Sequence, residues 1–290
     1  MSCMASTLFS TIRLEKRAGV AHLVLARPDK LNALGFGPGS NRDEIVRALQ
    51  EVDADPEVGV ILITAEGRGF CAGGDLSGLP PGEGPLRDES LINQVDRSHT
   101  AVRQATKPVI AAVHGICLGA GLGFVGQCDL VLAADDARFG LPEGRFGHPG
   151  GPELVPLIGQ AWAKFLIFSG ESISAARAAE IGLALLVIER AQLQSAATEL
   201  AERMARMPRD ALRLNKAAID RAAEAGGRSA GRLAGRAGDL ITKTVTHLAR
   251  APDGRLFDEI LSADGPPGLK QAQKQQYTDS WLEQYVDISK

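Results

Sequence analysis

The sequence has few of the residues that mark several large classes of protein. Among its 290 residues are four cysteines, two tryptophans and two tyrosines, and aromatic residues make up only 4%. The cysteines form no CxxC pair and have no histidines at metal-ligand spacing; they are Cys3, Cys71, Cys117 and Cys128. This distribution argues against a metal site and a disulfide framework, and it fits a reducing compartment.

An excess of charge of one sign is also missing. The 32 basic and 35 acidic residues give a net charge of -3, without the basic patch that a nucleic-acid-binding protein needs. Apolar runs such as Val109–Val113 fall far short of the roughly 20 residues that span a bilayer, and the N-terminus lacks a secretory signal. We therefore expect a soluble cytoplasmic protein that binds neither nucleic acid nor membrane.

Short apolar runs alternate with helical patterns along the first two thirds of the chain. A hairpin is predicted around Ala18-Gly19, and two nearly continuous apolar runs, residues 58–64 and 109–113, are typical of buried parallel strands. A helix is predicted over 41–52 and another over 90–106, and residues 161–225 are mostly helical. This order indicates βαβ units in a layered α/β domain.

Each of the two buried apolar runs leads into a cluster of small residues. The first cluster spans Gly67–Gly74 and the second spans His114–Gly123. Small residues let a ligand approach the main chain closely, and two amides that converge on one oxygen would form an oxyanion hole. The alternative is that these glycines only permit tight turns and close packing.

Taken together, these motifs resemble those of the crotonase superfamily, the enoyl-CoA hydratase/isomerase family. The resemblance is carried, in the family's order, by Arg27-Pro28 with Asn32-Ala33-Leu34, by Phe70–Leu76, by Lys107–Gly115, by Gly119-Ala120-Gly121 with Cys128-Asp129, and by Phe139–Glu143. It implies a spiral of repeated ββα units with a C-terminal helical trimerisation region. We place the spiral core at residues 1–200 and the helical region at 201–290, and expect a homotrimer or homohexamer.

The resemblance also implies a CoA thioester substrate, with no separate cofactor. The oxyanion donors would be the amides of Gly74 and Ala120. Residues expected to contact CoA are Lys30, Leu31, Ala72, Asp75 and Leu76, and more loosely Lys270 and Lys274 of a neighbouring chain.

The resemblance breaks down at one catalytic position. Hydratases of this family use two glutamates; the second matches Glu143, whereas the first falls on Gly123, which cannot move a proton. We expect Glu143 to have a raised pKa among apolar neighbours, although pairing with Arg145 is an alternative role for it. His148 is a candidate second acid/base group, His114 is expected to stabilise a turn, and Cys71 and Cys117 are expected to pack as small residues.

A single carboxylate is enough to shuttle a proton along an enoyl thioester. The sequence therefore favours Δ3,Δ2-enoyl-CoA isomerisation with Glu143 as the only acid/base. The alternatives are hydration of 2-enoyl-CoA, with His148 or another group in place of the absent acid, and a catalytically weak protein that binds acyl-CoA.

Overall fold

The structure is a computed structural model that describes residues 9–79, 85–148, 150–246, 248–277 and 280–282. Its strands are β1 (Ile12–Arg17), β2 (Val20–Leu25), β3 (Val60–Ala65), β4 (Val109–Val113), β5 (Ile116–Leu118), β6 (Leu130–Ala134), β7 (Arg138–Gly140), β8 (Ser172–Ser174) and β9 (Leu186–Ile188). Its α-helices are α1 (Asn41–Ala54), α2 (Pro85–Gln104), α3 (Ala120–Val125), α4 (Val155–Ser169), α5 (Ala175–Glu180), α6 (Leu193–Ala205), α7 (Arg209–Ala225), α8 (Arg228–Thr246) and α9 (Phe257–Gln276). Four 3₁₀ turns add Pro28–Lys30, Leu76–Gly78, Pro142–Phe146 and Pro152–Leu154.

The strands form two sheets. A six-stranded sheet has the order β1-β2-β3-β4-β6-β9, parallel except for the β1–β2 hairpin, and a smaller sheet has the order β5-β7-β8. Strands β4 and β6 belong to the large sheet, and the chain then passes directly into β5 and β7 of the small one. This repeated step from one sheet to the other is the expected spiral of ββα units.

The large sheet is covered on both faces, which explains its continuous apolar strands. Every residue of β4 is buried, as are all residues of β3 except the last. Helix α1 packs its apolar face, including Ile45 and Leu49, into the core on one side. Leu193, Ala197 and Ala201 of α6 cover the other side, so residue 200 lies within a helix that packs on the sheet. The division at residue 200 stays a prediction.

The C-terminal third is helical. The glycine-rich segment 226–238 is a turn at Gly226-Gly227 followed by α8. Helix α9 is kinked at Gly265, which has a φ of 67° and is followed by Pro266 and Pro267. The proline-rich segment 80–84 lies outside the described residues. No helix in the described ranges is both long and apolar enough to cross a membrane.

Candidate active site

The two glycine clusters lie side by side. The Cys71 amide donates to the carbonyl of Ile116 (3.0 Å), and the Leu118 amide donates to the carbonyl of Cys71 (2.9 Å). Cys71 and Cys117 thus pair like residues of parallel strands, although only a single bridge forms. Main-chain hydrogen bonding therefore fixes the two clusters against each other without the help of a ligand.

Gly73 of the first cluster lies close to Ala120 of the second. A Cβ atom at Gly73 would lie 3.8 Å from the Ala120 nitrogen, and the φ of 109° at Gly73 is one that only glycine adopts without strain. Leu34 pairs with both neighbours of Gly74, through the Gly73 carbonyl (2.8 Å) and the Asp75 amide (2.9 Å). In the part of the chain that the structure describes, neither the Gly74 nor the Ala120 amide donates to another main-chain group.

Glu143 lies beside the second cluster. It belongs to the 3₁₀ turn Pro142–Phe146, and a Cβ atom at Gly119 would collide with its Oε1. Burial raises the pKa of Glu143 to about 7, and the nearby charge of Glu153 adds to this, while its own amide and that of Ala120 lower it. The expectation of a raised pKa is thus met, in a setting that includes the buried side chain of Leu141.

The alternative role for Glu143, an ion pair with Arg145, is wrong. The Arg145 guanidinium turns away and donates to the carbonyl of Ser169 (3.0 Å) and to Glu171 (3.4 Å). Its Cζ also lies 4.5 Å from the ring centroid of Tyr277. Glu143 is therefore not neutralised by the cation nearest to it in sequence, which leaves its carboxyl available for proton transfer.

A second carboxylate occupies the space beside Gly123. A Cβ atom at Gly123 would lie 2.8 Å from Oε1 of Glu153 and 2.9 Å from Cε1 of His99. Glu153 comes from the 3₁₀ turn that precedes α4, and His99 comes from α2. Neither residue was predicted from the sequence. The position where the family motif lacks an acid is thus filled from another element of the fold.

These neighbours have distinct protonation properties. Burial raises the pKa of Glu153. Burial and the charge of Arg42 lower the pKa of His99 to about 3, so the ring is neutral at pH 7. Its Nε2 lies 3.3 Å from the carbonyl oxygen of Ala120. Because a carbonyl only accepts, Nε2 carries the hydrogen, and the ring is held in one tautomer.

Comparison with known proteins decides the family. Residues 15–246 match the model of the enoyl-CoA hydratase/isomerase family. The chain belongs to this family. A probable enoyl-CoA hydratase of Mycobacterium leprae is 36% identical over 220 residues, which cover 74% of this chain and 83% of that protein.

Two further similarities indicate the range of the family. The peroxisomal Delta(3,5)-Delta(2,4)-dienoyl-CoA isomerase of Arabidopsis thaliana is 31% identical over 66% of this chain and 73% of its own length. The crystal structure of an enoyl-CoA hydratase/isomerase from Xanthobacter autotrophicus superposes with a TM-score of 0.84 at 29% identity, covering 93% of this chain and 99% of that one. The chain is thus an acyl-CoA enzyme with the crotonase fold.

Residues expected to contact CoA in this family member lie close together. The Ala72 amide donates to the carbonyl of Leu31 (3.0 Å), which joins the N-terminal motif to the first glycine cluster. Nζ of Lys30 lies 3.3 Å from Oγ of Ser77, next to the half-buried Leu76. These four residues therefore border a single strip of surface.

Asp75, the fifth residue of that set, is engaged within the protein. Its carboxylate accepts from the guanidinium of Arg27 (2.8 Å) and from the hydroxyl of Ser77 (2.6 Å). Burial raises its pKa, but these bonds lower it more, and the net shift is downward. The carboxylate fixes the loop geometry, and the main chain of Asp75 is also engaged, since its amide donates to the carbonyl of Leu34 and its carbonyl accepts from the Gly78 amide.

The remaining candidate residues make packing and turn contacts, and an acid/base role for His148 stays a prediction. His148 packs its ring against Phe146, with centroids 5.0 Å apart, and its amide donates to the Glu143 carbonyl (3.0 Å). Nε2 of His114 lies 3.0 Å from the carbonyl of Gly67 at the first turn. Cys71 and Cys117 are fully buried, and burial raises the pKa of both thiols.

Proposed function

We propose that the protein is an enoyl-CoA hydratase in which Glu143 and Glu153 share the proton transfers. The observation that carries this proposal is the Glu153 carboxylate, whose Oε1 lies 2.8 Å from the position that a Cβ atom of Gly123 would occupy. Hydration needs one group to take a proton from water and another to give a proton to carbon. Glu143 alone would not supply both, and Glu153 restores the pair.

The proposed reaction begins with the thioester oxygen held by the amides of Gly74 and Ala120. Glu153 takes a proton from water as the oxygen of that water bonds to C3, and the electrons of the C2–C3 double bond move to the thioester as an enolate. Two amide donors stabilise the negative oxygen of this enolate. Glu143 then protonates C2, the thioester carbonyl re-forms, and the product is a 3-hydroxyacyl-CoA.

Electrostatics supports this division of roles. Two neighbouring carboxyls hold one proton between them near neutral pH, because ionising both is unfavourable. The charge of Glu153 raises the pKa of Glu143. A raised pKa suits Glu143 to the role of the acid, and we assign Glu153, beside Gly123, as the base.

Isomerisation of 3-enoyl-CoA by Glu143 alone is the second candidate. It is supported by the proximity of Glu143 to the Gly119-Ala120 peptide, where a single carboxyl could take a proton from one carbon and return it to another. The isomerisation reaction does not use Glu153. A catalytically weak acyl-CoA-binding protein is the third possibility and uses neither acid.

Two substitutions separate these possibilities. Hydration of crotonyl-CoA is measured by loss of the conjugated thioester absorbance, and isomerisation of 3-hexenoyl-CoA by its gain. We expect Glu153→Gln to lower kcat for hydration by about 10²-fold or more while leaving isomerisation largely intact, and Glu143→Gln to abolish both. Glu199→Gln, at an exposed carboxylate of α6, is the matched control.

Other results would change the assignment. Wild-type protein that isomerises but does not hydrate would make Glu143 the sole acid/base. Full hydratase activity in Glu153→Gln would remove Glu153 from the mechanism. Binding of acyl-CoA without either reaction would favour the third possibility.

We also propose that CoA binds along the strip formed by Lys30, Leu31, Ala72 and Leu76, next to Asp75. The thioester brings its own CoA, so the proposed reaction uses no separate cofactor. Lys270 and Lys274 are exposed on α9, where they could meet the CoA of a neighbouring chain in an oligomer.

A further inference from the structure

Arg42 is a buried cation that the proposed reaction does not use. It lies near the start of α1, and only 2% of its surface is exposed. Its Nη1 donates to Oγ of Ser98 (3.1 Å), and its Cζ lies 5.0 Å from the centroid of the Phe36 ring. Nε and Nη2 have no hydrogen-bond partner among the residues that the structure describes.

A guanidinium in this situation is unfavourable for the protein alone. Burial lowers the pKa of Arg42 to about 10, so it still carries its charge at neutral pH. An uncompensated buried charge is strongly destabilising, and buried arginines are ordinarily paired with an anion. A buried cation with no anionic partner among the residues that the structure describes is explained by an anion that arrives with a ligand.

The two free nitrogens define the shape of that anion. Nε and Nη2 lie along the same edge of the guanidinium, and their N–H groups point in parallel. This edge matches the two oxygens of a carboxylate and binds them with a pair of charge-assisted hydrogen bonds. Because Ser98 holds Nη1, the edge is fixed in orientation before the ligand arrives.

Arg42 lies next to the proposed reaction centre. Its aromatic partner Phe36 has Cζ 4.0 Å from the Cβ position of Gly74. Its hydroxyl partner Ser98 precedes His99, which contacts both the Ala120 carbonyl and the space beside Gly123. Arg42 thus contacts Phe36, which lies beside Gly74, and Ser98, whose neighbour in the chain contacts the Ala120 carbonyl.

From this arrangement we infer that Arg42 binds a carboxylate at the far end of the acyl chain, and that the preferred ligands are CoA thioesters of short dicarboxylic acids. The inference deepens the proposed function by naming its substrate class, and it rests on the same active site. The groups nearest the acyl chain do not oppose such a ligand strongly. His99 is neutral, and burial raises the pKa of both Glu143 and Glu153, which favours the uncharged form of each carboxyl.

Binding of saturated acyl-CoA tests this inference separately from catalysis. Titration calorimetry would compare succinyl-CoA with 4-methylpentanoyl-CoA, and glutaryl-CoA with 5-methylhexanoyl-CoA. In each pair an isopropyl group replaces the carboxylate at equal chain length. We expect wild-type protein to prefer the dicarboxylic member of at least one pair by about thirtyfold or more.

Substitution of Arg42 gives the second arm of the experiment. Arg42→Met should reverse the preference, because it keeps the bulk and removes the charge. Arg42→Lys should retain only part of it, because the two-pronged edge is lost. Arg47→Met, at an exposed arginine of the same helix, should leave the preference unchanged. The melting temperature of Arg42→Met should not fall, since a methionine is not an unpaired buried charge.

Equal binding of both members of both pairs by wild-type protein would overturn the inference, as would a preference that survives in Arg42→Met. Should that variant fail to fold, the wild-type comparison and Arg42→Lys still decide. Hydration of crotonyl-CoA, measured in parallel, reports on the proposed function. Its absence would remove the hydratase assignment without altering the binding result.

Discussion

At the scale of single residues, the most consequential position is Gly123, because the space beside it contains Glu153 and His99. The first turn of α3 supplies the Ala120 amide, and one turn later the helix has no side chain to block a carboxylate that comes from elsewhere. The absence of a side chain at Gly123 thus leaves the space that the Glu153 carboxylate occupies. The substitution of Gly123 tests this relation directly.

Gly123→Ala should impair hydration selectively. The new methyl group would lie within 3 Å of both Glu153 Oε1 and His99 Cε1 and would displace the carboxylate. Alanine favours helix over glycine by about 1 kcal/mol, so the fold should not suffer from the change itself. We expect at least a tenfold loss of crotonyl-CoA hydration with isomerisation retained. Equal loss of both reactions would indicate general damage to α3.

The interaction between the carboxyls of Glu143 and Glu153 predicts that substitution of Glu153 shifts the pH dependence of proton exchange at C2. In wild-type protein Glu143 has a pKa of about 7, raised mainly by burial and further by the charge of Glu153. Exchange of the C2 protons of butyryl-CoA with deuterated water needs Glu143 as a base, so its rate should rise with pH through about 7. In Glu153→Gln this rise should move to lower pH. An unchanged profile would show that the two groups do not interact.

At the scale of elements, α1 ties the start of the chain to the core. The buried Glu44 accepts hydrogen bonds from the amides of Ser10 and Thr11 (both 2.8 Å) and from their hydroxyls. Burial raises the pKa of Glu44, but these bonds lower it more, so the net shift is downward. The ionised carboxylate therefore stabilises the folded state.

Glu44→Gln should destabilise the protein by about 2 kcal/mol at pH 7, because a neutral amide accepts these bonds less well. With a depressed folded pKa, the contribution of Glu44 is fully present above its unfolded pKa of about 4.3 and is lost as the pH falls through the folded pKa. Urea unfolding at pH 7 and at pH 3 should show the difference between wild type and variant shrinking at the lower pH. Glu57→Gln, at an exposed site, is the control, and a constant difference would contradict this role.

The long elements were predictable and the short ones were not. Periodicity predicted helices α1, α4, α6 and α7, whose faces are set by burial along ten or more residues, and continuous apolar runs predicted strands β3 and β4. Strands β5, β7, β8 and β9 have three residues each, too few for a period to show. These short strands and the 3₁₀ turns nevertheless hold Glu143 and Glu153 in place.

At the scale of the whole molecule, the C-terminal helices expose several large apolar side chains. Ile219 on α7 is 69% exposed and Leu233 on α8 is 58% exposed. A contiguous patch of exposed apolar side chains is unfavourable in water, and such patches are typical of an interface between subunits. They support the proposal of a homotrimer or homohexamer.

Light scattering should therefore give a mass of three or six chains of 30.6 kDa each. Ile219→Glu combined with Leu233→Glu should lower that mass, because burying two carboxylates at an interface is unfavourable. The exposed Leu186 of β9, changed to Glu, serves as a comparison outside these helices. A monomeric mass for the wild-type protein would contradict the proposed oligomer and the CoA contacts proposed for Lys270 and Lys274.

The sequence by itself determined the family, the alternation of strands and helices, the two glycine clusters and the position of Glu143, because each is written in local patterns or in motifs of fixed order. Only the tertiary structure decided what lies beside Gly123 and around Arg42. Glu153 is 30 residues from Gly123 along the chain, and Ser98 is 56 residues from Arg42. Contacts between residues so far apart arise from the packing of separate elements, which no local pattern records.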